Sequence, residues 1–284
     1  MASLSSGITE SLFAGKYMSQ ELTKVRAGLN RVSSDLKQGQ LISAATSIRE
    51  GARAFGRIAM IKNEQEELAS LLRAACDLLN FSKEVTSRFP LIIEYVSGQE
   101  QALATAMGQL IEVLKEAQME EAMAHHKAYK TAQLEKGRSE LQRGAIDDGR
   151  HTLGQLGNDY SEEEQLLLSI GEEFIRVNMF EDASKYLEQA AHLNLDDAHI
   201  LNRLGMVRRK LGKYELSESA YLRALELESS DPNLLFNLGR LYLDWGRWEQ
   251  AAHHARQALK YMPDFAEAEK MATYAEKKCQ GSSK

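Results

Sequence analysis

Proline is scarce, cysteine is nearly absent, and no long apolar run occurs anywhere in the 284-residue chain. With only three prolines, long stretches keep every helical N–H, and an almost entirely helical protein is expected. Two cysteines, Cys76 and Cys279, cannot build a disulfide framework or a four-ligand zinc site, and they suit a reduced, cytoplasmic setting. No segment approaches the roughly 18 uncharged apolar residues of a membrane span. The opening residues Met1-Ala2-Ser3-Leu4 also lack the basic and apolar regions of a secretory signal. Aromatic residues make up 7% of the chain and are not interleaved with a dense basic patch, so neither nucleic acid nor membrane is expected as a partner.

Catalytic motifs are missing as well. Gly205 to Gly212-Lys213 superficially suggests a phosphate loop, but six residues separate the glycines and Tyr214 follows the lysine. The phosphate cradle needs four between them and a hydroxyl residue next. His125-His126 and His253-His254 are adjacent pairs, which point about 100° apart on a helix and chelate one ion poorly. Glu121 and His125 share a face, but a metal would need further ligands from elsewhere. The expectation is a non-enzyme without cofactor or metal.

What the chain does have is a period. Gly171, Gly205 and Gly239 lie 34 residues apart in the settings Leu167-x2-Ile170-Gly171, Leu201-x2-Leu204-Gly205 and Leu235-x2-Leu238-Gly239. Ala183, Ser217 and Ala251 keep step on one small-residue position, and Ala190, Ala224 and Ala258 on another. Two helical patterns per unit at this spacing predict stacked helix-turn-helix repeats, each burying its apolar face only against its neighbours.

These residues resemble the tetratricopeptide repeat, with matches over Glu164–Asp197, Ala198–Asp231 and Pro232–Phe265. The second repeat departs most: Arg208 stands for the usual aromatic and Ser217 for the usual alanine. The resemblance implies an inner wall of first helices (helix A of each pair) that faces a bound peptide. By position, the first repeat contributes Gln165, Leu168, Ser169, Glu172 and Arg176 to that wall. The second contributes His199, Asn202, Arg203, Met206 and Lys210, and the third Asn233, Phe236, Asn237, Arg240 and Asp244. Arginine and lysine there would attract carboxylates, asparagine would hold peptide backbone, and Phe236 would seat an apolar side chain. The two-carboxylate clamp of some family members is not carried over, because Leu168 and Glu172 occupy its first lysine and asparagine places. Some secretion chaperones also cradle effectors on three such repeats, but the long N-terminal region departs from that plan.

The rest of the chain is expected to be helical too. Residues 1–18 read as a flexible arm, and residues 19–129 as an N-terminal helical bundle with a long connecting helix. Leu22, Val25, Leu29, Val32 and Leu36 share one helical face, Gly39 breaks that helix, and a second begins near Leu41. Glu64–Phe81 carries another amphipathic pattern, with Cys76 at its packed face. Phe89-Pro90 marks a boundary, and the proline is expected to open a helix through Leu91, Ile92 and Tyr95. Gln99 to Arg143 reads as one long helix or two collinear ones, whose Met107, Met119 and Met123 suit packing or an adaptable groove. Residues 130–163 look like a degenerate extra repeat, residues 164–265 hold the three repeats, and residues 266–278 form a polar capping helix.

Net charge is −6, yet residues 151–200 alone carry −9 and residues 201–284 carry +3. That asymmetry can orient a charged partner. Together these readings predict an adaptor, chaperone or assembly factor that binds a protein or peptide segment, with an acidic segment suited to the cations of the wall. The alternative is a scaffold that forms a homo-oligomer through its N-terminal helices.

Overall fold

The computed structural model describes the backbone of residues 4–281 and the side chains of residues 20–280. Every regular element among them is an α-helix, and the chain divides into two units between His126 and Lys127.

The first unit holds α1 (Leu4–Lys37), α2 (Leu41–Arg57), α3 (Lys62–Asn80), α4 (Lys83–Arg88) and the first part of α5 (Glu100–Gln142). The three-and-four spacing of Leu22, Val25, Leu29 and Val32 buries one face of α1 against Ala44, Ala45 and Ile48 of α2. Leu68, Leu72 and Leu79 of α3 and Met107, Leu110 and Leu114 of α5 complete that core. Gly39 turns the chain at φ +72°, and the Gln40 N–H reaches back to the Asp35 carbonyl at 2.7 Å. Cys76 is 1% exposed, and burial pushes its thiol up to about 12, so it behaves as a small apolar group.

Two expectations fail here. The arm expected over residues 1–18 is helical from Leu4, because no proline precedes Ser19 and an established helix propagates backwards more easily than it nucleates. Residues 1–3 lie outside the described residues. The helix expected after Pro90 does not form either. Residues 89–99 are non-helical, and the Asn80 carboxamide holds the Ile93 backbone by two hydrogen bonds, donating at 2.8 Å and accepting at 3.0 Å.

The second unit begins with the end of α5 and continues as α6 (Ile146–Asp159), α7 (Glu164–Arg176), α8 (Phe180–Leu193), α9 (Ala198–Lys210), α10 (Tyr214–Leu227), α11 (Pro232–Asp244), α12 (Trp248–Tyr261) and α13 (Ala266–Gly281). Each helix A ends the same way. Gly144, Asn178, Gly212 and Gly246 adopt positive φ at 34-residue intervals. The next residue's N–H closes onto the carbonyl five residues back: Ala145 to Glu140, Met179 to Phe174, Lys213 to Arg208 and Arg247 to Tyr242, at 2.8–2.9 Å. These are Schellman caps, which satisfy carbonyls that a helix end leaves without partners.

Within each pair, small residues let the helices touch. A Cβ on Gly171 would lie 2.9 Å from Leu187, and one on Gly205 would lie 2.9 Å from the Tyr221 ring. Ser217, in the alanine position, is fully buried and donates its hydroxyl to the Gly205 carbonyl at 2.6 Å, so the extra oxygen is satisfied. Tyr221, also fully buried, supplies ring volume in the repeat where Arg208 replaces the aromatic. Arg208 itself turns toward Glu188 and the Leu216 carbonyl, at 3.3 Å from each. At the end of the stack, α13 packs Ala268, Met271, Ala272 and Ala275 inward and leaves its charged residues outward.

Candidate functional site

The wall of first helices is positioned by its caps. Asp197 accepts hydrogen bonds from the His199 and Ile200 N–H groups at 2.8 and 3.1 Å, starting α9. Asp231 accepts from Asn233 N–H at 2.8 Å, and Pro232 at the first helical position starts α11. The helices start 34 residues apart, at Glu164, Ala198 and Pro232, which brings equivalent side chains of α7, α9 and α11 into register, although Glu163 makes no side-chain cap bond at the first.

Much of this wall is spent holding neighbouring helices together. Arg203 Nε donates to Glu172 Oε1 at 2.9 Å, and His199 Nε2 lies 3.6 Å from the same oxygen. Asn237 donates its amide to Asn202 Oδ1 at 3.0 Å. Arg209, only 6% exposed, pairs with Asp244, while Arg138 of α5 reaches the buried Glu173 of α7 at 2.7 Å. Arg176 flanks Glu173 at 3.4 Å and remains half exposed. Leu168, expected on the open wall, is buried in the core instead.

Other expected wall residues stay accessible. Lys210 and Arg240 are exposed, and the Arg240 guanidinium sits 5.7 Å from the centre of the Phe236 ring. Phe236 is half-buried and packs on Phe265 with centroids 4.7 Å apart. Met206 is half-buried between two core clusters, and Asn233 is exposed at the helix start, its amide 3.3 Å from Asp231. The arrangement offers Arg240 beside an aromatic seat, a surface that can take a carboxylate and an apolar side chain together, with Lys210 a further exposed cation on α9.

Position rules point to Arg203, Asn202 and Asn237 as ligand groups but miss their partners. Arg209 emerges only when the helices are packed, and so does the pairing of the wall residue Glu172 with Arg203. A cleft of about 740 Å³ outside this wall, lined by Glu162, Glu181, Glu188, Lys185 and His192, coincides with the acidic stretch visible in the charge distribution. Among the described residues there is no group of three or more potential metal ligands, and no helix long and apolar enough to cross a membrane.

Residues 196–264 match the family model described as tetratricopeptide repeat. The Bos taurus protein described as BBSome complex member BBS4 is 30% identical over 95 residues, which is 34% of this chain. That match spans 18% of the relative's length. Among solved structures, one described as MamA protein aligns over 53% of this chain and 82% of its own, at 18% identity and a TM-score of 0.47. A double mutant of MamA from RS-1 covers 53% and 85%, at 14% identity and a TM-score of 0.46. The family match covers residues 196–264, and the helix pairs that contain it keep the 34-residue register, so this stretch of the second half carries tetratricopeptide repeats.

Proposed function

We propose that the first-helix wall binds an extended segment of another protein, and that the chain is a non-enzymatic adaptor or chaperone-like assembly factor. A general protein-interaction role is what such repeats support; the acidic, groove-bound partner is the finer reading. One observation carries it: Arg240 remains open beside Phe236 and Lys210 is exposed at the end of α9, while neighbouring polar groups on the wall are internally paired. A partner would place an apolar side chain over Phe236 and carboxylates against the two cations.

Peptide display on the full chain tests this. Selected peptides should carry Asp or Glu near an apolar residue, and Lys210→Glu with Arg240→Glu should weaken them at least about tenfold, since charge-assisted hydrogen bonds contribute ~1.5–3 kcal/mol each. Selected peptides that bind the double variant and Phe236→Ala unchanged would place the site elsewhere.

A second reading is a scaffold self-associating through the N-terminal helices. Met119 and Met123, four apart on α5 and 62% and 66% exposed, favour it. Changing both to lysine should then lower the mass of any oligomer.

A further inference from the structure

Arg209 is a buried cation whose counter-charge stands partly in water. Its side chain is 4% exposed, whereas that of Asp244, which pairs with it from α11, is 43% exposed. Asp244 follows Arg240 by four residues and so shares its helical face. Arg240 makes no ion pair with any described residue, and its guanidinium has the Phe236 ring as its neighbour. Two arginines thus share one carboxylate on this part of the wall.

Donors in the same place lack acceptors. The Tyr221 hydroxyl is fully buried and forms no hydrogen bond of good geometry, and Arg209 Nε is buried without a partner too. Arg209, Arg240 and Asp244 all act electrostatically on that hydroxyl, which makes the four side chains one cluster. Burial pushes Tyr221 up to about 12, so it keeps its proton, and the proton needs an acceptor. Neither arginine can supply one, because a guanidinium only donates. The cluster carries an excess of positive charge and of donors, and an anion is what would complete it.

Asp244 cannot simply leave, since a buried cation without a partner is strongly destabilising. A second carboxylate arriving from solvent can release it, and Asp244 is the solvent-side half of the pair. We propose that Asp244 is an internal stand-in for a carboxylate of the bound segment, holding Arg209 until an acidic side chain takes its place beside Arg209 and Arg240. The inference rests on the groove reading above, and adds where the carboxylate goes and what it competes with. The pair also sets a threshold. An apolar segment gains Phe236 but offers Arg209 nothing, so it leaves the internal pair closed. Affinity for an acidic segment is scaled down by the fraction of molecules in which Asp244 is disengaged.

Calorimetric titration of the full chain with the display-selected acidic peptides tests it. Asp244→Asn keeps an acceptor for Arg209 but removes the competing charge. It should tighten these peptides about tenfold, as for a pair closed in about nine molecules of ten. In an Arg209→Gln background the same substitution should change affinity by less than about twofold, because the two residues act as a unit. A peptide with its Asp or Glu changed to the amide should gain nothing from Asp244→Asn. Since altering the partner of a buried arginine could disturb folding, the wild type supplies a second measurement by NMR. Saturating acidic peptide should move the Asp244 side-chain carboxylate resonance toward that of solvated aspartate, and the amide peptide should not. Peptides indifferent to both Arg240→Glu and Phe236→Ala would overturn the groove reading and this inference together. With peptides that do need Arg240 and Phe236, the groove reading stands. An affinity not raised by Asp244→Asn, an equal gain without Arg209, or an unmoved Asp244 resonance would then each overturn the stand-in alone.

Discussion

At the residue scale, the same substitution has opposite consequences at two glycines. A Cβ on Gly205 would press 2.9 Å into the fully buried Tyr221 ring, which has no room to withdraw. Gly205→Ala is expected to destabilise by about 1–3 kcal/mol, the cost of overpacking. Gly108, inside α5, has nothing within 4 Å of such a Cβ, so Gly108→Ala should stabilise by up to about 1 kcal/mol through helix propensity. Urea denaturation of both variants checks the sign. The period-34 glycines announce the first effect in the sequence, but nothing in the local pattern around Gly108 distinguishes an open site from a crowded one.

His254 shows what burial does to one member of an adjacent histidine pair. Desolvation, with help from the neighbouring His253 and against the pull of Glu218, lowers its value from 6.5 to about 4. Its ring stacks on Tyr242 at 5.3 Å, and Nδ1 is buried without a hydrogen-bond partner. The unfolded chain takes up a proton near pH 6.5 and the folded chain only near 4, so this group removes stability as pH falls across that window. His254→Phe keeps the stacking and removes the titration. Its Tm should therefore fall less than that of the wild type between pH 6.5 and 4, and parallel curves would refute the assignment.

At the element scale, Leu91–Val96 marks where local rules compete. Proline at a first helical position is a legitimate helix start, and that rule predicts a helix here. Against it stand Ile92, Ile93, Tyr95 and Val96, β-branched and aromatic residues ended by Ser97-Gly98, a pattern suited to extended backbone. The deciding partner, Asn80, lies 13 residues earlier and obeys no period. Asn80→Ala would leave the Ile93 N–H and C=O unpaired in a half-buried setting, a loss of about 1–3 kcal/mol. Amide exchange should report it as faster exchange at Ile93, with α2 and α3 unaffected. The repeats themselves were far more legible, because each helix pair solves the same packing problem and so repeats the same residues. The pairings across the inner wall were not. Position tells which side chains face inward but not that Arg203 will find Glu172 or that Asn202 will find Asn237.

At the scale of the molecule, each unit closes its own core, and the second does so with one helix pair more than its three clear repeats. The end of α5 and α6 form that pair: a Cβ on Gly137 would lie 2.5 Å from Leu153, and one on Gly149 would lie 2.7 Å from Leu141. Two ion pairs tie it to the next repeat, Arg138–Glu173 and Arg150–Asp182, and Lys130 pairs with Glu163 just before α7. Gly157 packs against Tyr186, so removing the pair would bare that ring and the Leu167 and Ile170 side chains behind it. In a stack where each repeat is stabilised only by its neighbours, the exposed end then lacks a cap. Residues 127–284 should accordingly unfold in one cooperative transition, while residues 164–284 should show a lower Tm, a smaller denaturant m-value and a tendency to aggregate. Thermal melts and urea curves of the two fragments decide it, since equal midpoints would mean that the additional pair adds nothing to the stack.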